Sequence, residues 1–587
     1  MHIIENYNAR VDKVYCYISE CIWDKQQKKY LKPRTSIGHL SGDPPKFIPN
    51  KRFSQLLAES KGASSVQPRT KRMLDTIAAK YGEVECLPDS IVSEEQTARA
   101  IFSGPSIVFG GITTRYHIDT MLNKAFGEDD AKEILSLAWY ITVEGSALSN
   151  SDAWFSQYET PAGRIISSQE ITRLLDRLEE DAMMTFYKEW MNSFKKTGDR
   201  ILYDLTSISW YGRGIDMAKW GHNRDNEDLP QVNFALLCAR KTAIPLFAWP
   251  LDGSVTDIRT LQNTLQFLNK LDYKPDSLMM DRGFACVDNI SYLFKNKHVF
   301  LQALRVNAQW IYEIIDDGNN VRLRPDSMLK MEERTYYVST TQCQWVIRRR
   351  TKKDVVTEDS FVHICKNPKR DKYIAKAGEE ILSQSPCKVH VLFCQDLIGN
   401  QWDRFMENLK YEHERLLADE KTEPAHDWKP YFKIFKDKWA RKRTVEFVME
   451  KIAEHRNNYA GYLCFLTNDN TVQSAQDALT EYSTRDSIEK DFDEMKNDLD
   501  MRRIRVHTDK RMKARLFIQF IAEIYMREIR VRLRDVKECK KMTRKQISSH
   551  IKSIYKIKFL HKYRDVCPEL SKSQRKILEA IGVDDSR

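Results

Sequence analysis

Apolar and polar positions alternate through Val14, Cys16 and Ile18, continue from Cys21 to Trp23, and resume after the polar turn DKQQKK toward Gly38. A period of two predicts a β-hairpin in a small N-terminal β domain over residues 1–50. The stretch GDPPKFIPNK (42–51) is rich in proline and reads as a linker. From Arg69 to Asp199 the period becomes helical, as in AKEILSLAWYIT and SSQEITRLLDRLEEDAMMTFYKEWMNSF, with Ser168 the expected cap of the last helix. Residues 51–199 are therefore expected to be a helical region.

A different pattern begins at residue 200. Short β-forming runs ILYDLTSISW (201–210), NFALLCAR and TAIPLFAWPL are followed by the helix DIRTLQNTLQFLNKL (257–271) and the strand SLMMD (277–281). A helix VDNISYLFKN and a strand VFLQALRV (299–306) come next. Three antiparallel strands and then two strand–helix crossovers is the ribonuclease-H-like order, although several α/β folds start in the same way. The strand-like runs TYYVST, CQWVIRRR, SFVHICKN and KVHVLFCQDL break this pattern. Helical stretches are expected at Gln401–Ala418 and Trp439–His455. The core resumes with GYLCFLTN (461–468), a helix from Thr471, and a long amphipathic helix after Arg515. The expected fold is α/β: a ribonuclease-H-like core in two parts (200–308 and 458–535) interrupted by a mainly β insertion (309–457). A small β N-terminal domain and helical flanking regions, including a basic helical tail (536–587), complete it.

The hydrophobic fraction of 42% is enough to fill cores in a chain of 587 residues. No uninterrupted apolar stretch reaches the ~18 residues of a membrane helix, and MHIIENYNARVDK lacks the apolar segment of a secretory signal. These features predict a soluble intracellular chain with no membrane partner. The twelve cysteines contain no CxxC pair, and Cys16 and Cys21 lack a second pair to complete a zinc site, so incidental thiols are expected. Charge changes the picture more. The net +11 is concentrated in Met501–Arg587, with 25 Lys plus Arg against 10 Asp plus Glu. Such a positive end suits a polyanion, although solvated Lys-rich helices look the same.

The sharpest local signal is YSTRDSIEKDFDEMK, in which Tyr482, Arg485, Glu489 and Lys496 are spaced Y-x2-R-x3-E-x6-K. At about 100° per residue all four fall within roughly 60° on one helix face. A solvated helix with an Arg485–Glu489 ion pair would show the same spacing. Asp204 is the only charge in the first strand-like run, and Asp281 ends SLMM just before Gly283. A carboxylate at the C-terminal end of a sheet strand is a common functional position; a turn-capping aspartate is the alternative for Asp281. In the expected topology the first and fourth strands are neighbours, so Asp204 and Asp281 meet and the Glu489 helix can cover them. Three convergent carboxylates need a cation, and oxygen ligands of this kind suit Mg²⁺ or Mn²⁺, as two ions. Arg485 and Lys496 are then placed to hold phosphate, and Tyr482 to position a backbone oxygen or stack on a base.

These residues resemble the Y-R-E-K signature of the DDE transposases of bacterial insertion sequences, the Tn-five-like group. YDLTSI and MMDRGF are similar to that family's two aspartate motifs, with separations of 77 residues from Asp204 to Asp281 and 208 to Glu489. The resemblance covers about Thr113 to Arg534. It implies Asp204, Asp281 and Glu489 as catalytic metal ligands, with hydrolysis at transposon ends and 3′-hydroxyl attack on target DNA. The implied partners are double-stranded DNA, as terminal inverted repeats and as target, and a second copy of the chain on paired ends. The implied location is the bacterial cytoplasm, at the nucleoid when DNA-bound. Arg305, ending a core strand, is a further DNA-binding candidate. His222 and Asp225 in a polar loop, and Trp310 and Trp345 as aromatics for a flipped base, are weaker ones. A nuclease without strand transfer, or a DNA-binding descendant of a transposase, are the alternatives.

Overall fold

The computed structural model describes residues 1–583 except 9–12, 25–28, 42–44, 51–52, 54–67, 83–97, 146, 195–199, 213, 222–227, 256, 318–320, 332, 353–354, 368, 419–421, 426, 437–442, 486–505 and 560–564. The chain divides into two compact units, residues 1–101 with 555–569, and residues 102–554 with 570–586.

The smaller unit is a four-stranded antiparallel sheet in the order His2–Asn8, Lys13–Ser19, Arg34–Ser41, Lys46–Pro49. The alternation seen in the sequence buries Cys16 and Ile18 against Ile37, Phe53 and Ile77. Ile77 comes from the helix Pro68–Tyr81, whose Tyr81 stacks on Phe47 at 4.6 Å. Part of the expected linker is instead the edge strand Lys46–Pro49, in which the terminal proline costs no ladder bond.

The larger unit is built on a ten-stranded mixed sheet. Its first strands are β1 (Ile201–Ser209), β2 (Gln231–Ala239) and β3 (Pro245–Leu251), joined antiparallel. The helix Asp257–Lys270 then leads to β4 (Leu278–Met280), and the helix Val287–Lys295 leads to β5 (Phe300–Leu304). β4 lies parallel to β1 on one side and to β5 on the other. Beyond β5, the strands β6 (Arg334–Lys352), β7 (Glu379–Phe393) and β8 (Tyr462–Thr467) extend the same sheet. The path is β3-β2-β1-β4-β5-β8-β7-β6, with Met328–Met331 at its edge and Val355–Ile364 paired to β6. Of the strands between residues 309 and 457, Met328–Met331, Arg334–Lys352, Val355–Ile364 and Glu379–Phe393 thus continue the main sheet, while Phe432–Lys436 and Arg443–Phe447 pair with each other in a separate two-stranded sheet. A satellite core is formed by Phe405, Leu409 and Leu416 on the helix Ile398–Ala418, with Phe432, Val445 and Ile452.

Three sequence expectations need correction. The stretch after Ser167 is two helices, Ser168–Arg177 and Glu180–Phe194, and the N-cap is Ser167, whose side chain forms a capping box with Glu170. Ser168 is the first helical residue. The long helix spans Asp509–Leu533 and is not amphipathic: every residue from Leu516 to Ile529 is buried. Its polar members are paired, Glu523 with Arg527 at 2.5 Å and Glu528 with Arg115 at 3.0 Å and the Tyr116 hydroxyl at 2.8 Å. It packs on β3 and on the helix Glu128–Glu144. Finally, the helix expected over Trp439–His455 is Met449–Asn458, preceded by the strand Arg443–Phe447. Among the described residues no helix is long and apolar enough to cross a membrane, and all described cysteines are free thiols.

Candidate active site

Asp204 sits in the middle of β1, a strand otherwise made of apolar and small polar residues, and is half-buried. Asp281 directly follows β4. The parallel register pairs Met280 with Tyr203, so the next step along both strands brings Asp281 opposite Asp204. Local bonds fix each carboxylate: the Leu205 amide donates to Asp204 Oδ1 at 2.9 Å, and the Arg282 amide to Asp281 Oδ1 at 2.6 Å. The turn-capping role considered for Asp281 therefore coexists with its place beside Asp204. Below it, Gln302 Nε2 of β5 donates to the Asp281 carbonyl at 2.7 Å.

Residues 475–485 are helical and lie over this point. Tyr482 packs against Phe465 of β8 at 4.9 Å and donates its hydroxyl to Asp281 Oδ1 at 2.9 Å. Arg485 Nη1 stands 3.0 Å from Asp281 Oδ1 and donates to the Tyr482 hydroxyl at 2.9 Å, and its Nη2 is 3.9 Å from Asp204 Oδ1. The guanidinium is thus a cation shared by two carboxylates. Burial pushes the Asp281 carboxyl upward, but Arg485, Tyr482 and the Arg282 amide outweigh it and hold it below the usual carboxylate range. Since the folded value is depressed, the stability this group contributes is present above the ordinary carboxylate range. It is lost as pH falls through the lowered folded value. Burial, reinforced by Asp281, raises the Tyr482 phenol, which stays protonated and able to donate.

Of the four signature residues, then, Tyr482 meets Asp281 and Arg485 meets both aspartates, while Glu489 and Lys496 lie outside the described residues, as do His222 and Asp225. Arg305 does not reach toward the carboxylates with its bonded atoms. Its Nε and Nη2 hold the carbonyls of Arg282 and Gly283 at 3.0 and 3.2 Å, bracing the turn after Asp281. Trp345 is fully buried and bonded to Ser291 Oγ at 3.2 Å, with Trp310 edge-on at 6.2 Å, so Trp345 offers no face to a base.

Sequence reasoning missed what anchors the helix. Glu481 forms ion pairs with Arg200, just before β1, and with Arg240, just after β2, the latter at 3.0 Å and out of hydrogen-bond line. Asp469 completes the group, accepting from Arg200 Nε at 3.1 Å and Ser277 Oγ at 2.9 Å. Glu481→Gln is expected to lower stability by about 1–3 kcal/mol, because the partly buried Arg240 guanidinium loses its carboxylate and Arg200 is left with Asp469 alone. A urea unfolding midpoint equal to wild type would remove Glu481 from this role.

From Asp281 a cavity of about 1100 Å³ extends along the helix Ile398–Ala418. Arg305, Arg334 and Arg404 line it with Asn400 and Asn408, and Trp428, Tyr431 and His455 close it. Burial lowers the His455 imidazole to about 4, so it is neutral at pH 7 and stacks on Phe405 at 4.2 Å. Cations, amides and aromatic faces in one groove are the groups that hold phosphate, base edge and base plane.

The profile described as the transposase DDE domain matches residues 195–523. The chain belongs to the DDE transposase family. The matched span takes in both aspartates and the whole Y-R-E-K stretch. The family comprises DNA-cleaving and strand-transferring enzymes that generally use divalent metal ions. No curated protein matches the chain. A chain from the cryo-EM structure of the piggyBac transposase synaptic complex with hairpin DNA is similar at 11% identity and TM-score 0.32, over 76% of this chain and 79% of that one.

Among the described residues no three His, Cys, Asp or Glu side chains converge on a point. Asp204 and Asp281 nonetheless fit a hard divalent ion in chemistry: two carboxylates stand opposite each other and share the Arg485 guanidinium.

Proposed function

We propose that this DDE transposase performs cut-and-paste transposition of a bacterial insertion sequence of the Y-R-E-K group. The observation that carries the reading is the meeting of Asp204, Asp281, Tyr482 and Arg485 from two adjacent parallel strands and one covering helix. The order β3-β2-β1-β4-β5, with three antiparallel and two crossover strands, supports a ribonuclease-H-like core, and the strands between β5 and β8 support an insertion into it.

Asp204 and Asp281, joined by Glu489, would hold two Mg²⁺ or Mn²⁺ ions. Bound there, the ions would activate a water or 3′-hydroxyl and stabilise the leaving oxygen of an in-line phosphoryl transfer. The chain's own work is positional. Tyr482 holds one Asp281 oxygen in place, and Glu481 fixes the pitch of the helix that carries Tyr482 and Arg485. Arg485 and Lys496 clamp the scissile phosphate, a role a guanidinium fills with two parallel donors. Arg305 keeps the turn after Asp281 closed, and its position on the cavity wall puts it beside entering DNA. The DNA end lies in the cavity running to Trp428 and His455, which makes Trp428 a better partner for an unstacked base than Trp345. Two copies act on paired ends, in the bacterial cytoplasm.

The deciding experiment incubates the protein with Mg²⁺, a fragment bearing the element's terminal inverted repeats, and a target plasmid. Joined products are expected. Cleavage without joining would make the enzyme a nuclease, and binding with neither product would leave only a DNA-binding protein.

A further inference from the structure

Most of the chain's excess positive charge lies after residue 500, away from the carboxylate site. The fold gathers part of it around a cavity of about 640 Å³, between the end of the helix Asp509–Leu533 and the start of the helix Arg544–Lys552. Leu533, Cys539 and Ile547 form its apolar base, and six cations line it: Arg530, Arg534, Lys540, Lys541, Arg544 and Lys545. The cavity shares no lining residue with the one at Asp281.

The six cations do different things. Arg544 is buried and spends Nη2 on the carbonyls of Ile141 and Thr142, at 3.3 and 3.1 Å, which end the helix Glu128–Glu144. It is structural. Arg534, Lys540, Lys541 and Lys545 are exposed and have no carboxylate or hydrogen-bond partner among the described residues. Their backbone is nevertheless held firmly. Cys539 is buried, turn bonds join Cys539 and Lys540 to the Val536 carbonyl at 2.9 and 2.8 Å, and a Thr543–Gln546 capping box starts the next helix at once. Ordinary surface lysines spread apart or take acidic neighbours. Here Asp535 and Glu538 lie in the same stretch without forming an ion pair to these four among the described residues, and the chain fixes several unpaired cations around one concavity, a costly arrangement until a polyanion arrives.

We propose that this concavity is a second DNA contact, binding the sugar–phosphate backbone of duplex DNA without reading its sequence. The proposal rests on the reading of DNA as substrate. A duplex presents one negative charge per about 1.7 Å of axis, so several phosphates meet the unpaired cations together.

The test uses the full chain, EDTA to prevent cleavage, and a fluorescein-labelled duplex of about 40 base pairs and arbitrary sequence. Binding is followed by anisotropy between about 50 and 300 mM KCl. The variant Lys540→Ala/Lys541→Ala/Lys545→Ala is expected to bind about tenfold more weakly at 100 mM KCl. Its slope of log affinity against log salt should flatten by about 2–3, near 0.9 per lost phosphate contact. A charge-matched control, Lys352→Ala/Lys366→Ala/Lys372→Ala, should keep the wild-type slope. An unchanged slope in the first variant overturns the site while leaving the transposase reading intact. An equal loss in both variants makes the effect one of net charge and overturns it too. A wild-type chain that binds no duplex at all removes both readings.

Discussion

Asp281→Asn is expected to slow metal-dependent cleavage of end DNA by a factor on the order of 10³ or more, with duplex binding within about twofold of wild type. Asparagine keeps the shape of the side chain and can still accept from the Tyr482 hydroxyl and the Arg282 amide. What it loses is the charge. A metal-ligating carboxylate supports several kcal/mol of transition-state charge stabilisation, and about 4 kcal/mol corresponds to 10³ at 1.36 kcal/mol per tenfold. Binding is spared because the lost charge is negative and the ligand is a polyanion. Single-turnover cleavage of a labelled end duplex, with anisotropy in parallel, separates the two effects. Glu489→Ala should show the same split. Cleavage at the wild-type rate in either variant would sink the site assignment.

Arg485→Ala should do two opposite things: raise affinity for Mn²⁺ in the absence of DNA by about tenfold, and lower cleavage by about 10². In the free protein the guanidinium is the cation that Asp204 and Asp281 share, 3.9 and 3.0 Å from their oxygens. At an effective dielectric of about 20, a unit charge at 4 Å is worth up to about 4 kcal/mol. Relaxation and solvent reduce that, which leaves about a tenfold change. Removing the charge also leaves burial, the largest influence on Asp281, less opposed, so its carboxyl rises. The gain in Mn²⁺ affinity should therefore be largest at neutral pH and shrink on acidification, as protons compete for the oxygens. Cleavage is expected to fall because the role proposed for the same arginine, once metal has taken its place, is to clamp the phosphate. Electron paramagnetic resonance of free Mn²⁺ measures the first effect without any activity. Equal Mn²⁺ affinity in the two proteins would mean that Arg485 does not guard the carboxylates.

The aspartate pair was legible in the sequence because strand order is carried by local signals. A lone charge in an apolar run, turn residues after SLMM and helical spacing between strands were enough to make β1 and β4 neighbours. The face shared by Tyr482 and Arg485 was legible for the same reason, being a matter of 3.6 residues per turn. Partnerships across long separations were not. Arg200 and Asp469 stand 269 positions apart, and nothing in either neighbourhood marks the other. Periodicity also fails where burial is uniform. From Leu516 to Ile529 the helix is enclosed on all sides, so its arginines and glutamates mimic a solvated stripe that does not exist. The break between Arg177 and Glu180 has neither glycine nor proline to announce it.

The covering helix has a consequence for how the molecule is made. Asp204 and Asp281 come together through pairings among residues 201–304, which a growing chain can form early. Tyr482 emerges 201 positions after Asp281, and β8, the strand beneath it, closes onto β5 across 167. During synthesis two carboxylates are therefore expected to face each other before their guanidinium partner exists, a repulsion that would slow the first half of the sheet. Millimolar Mg²⁺ should relieve it, so refolding of the full chain should start faster with the ion than without, well before any DNA is present.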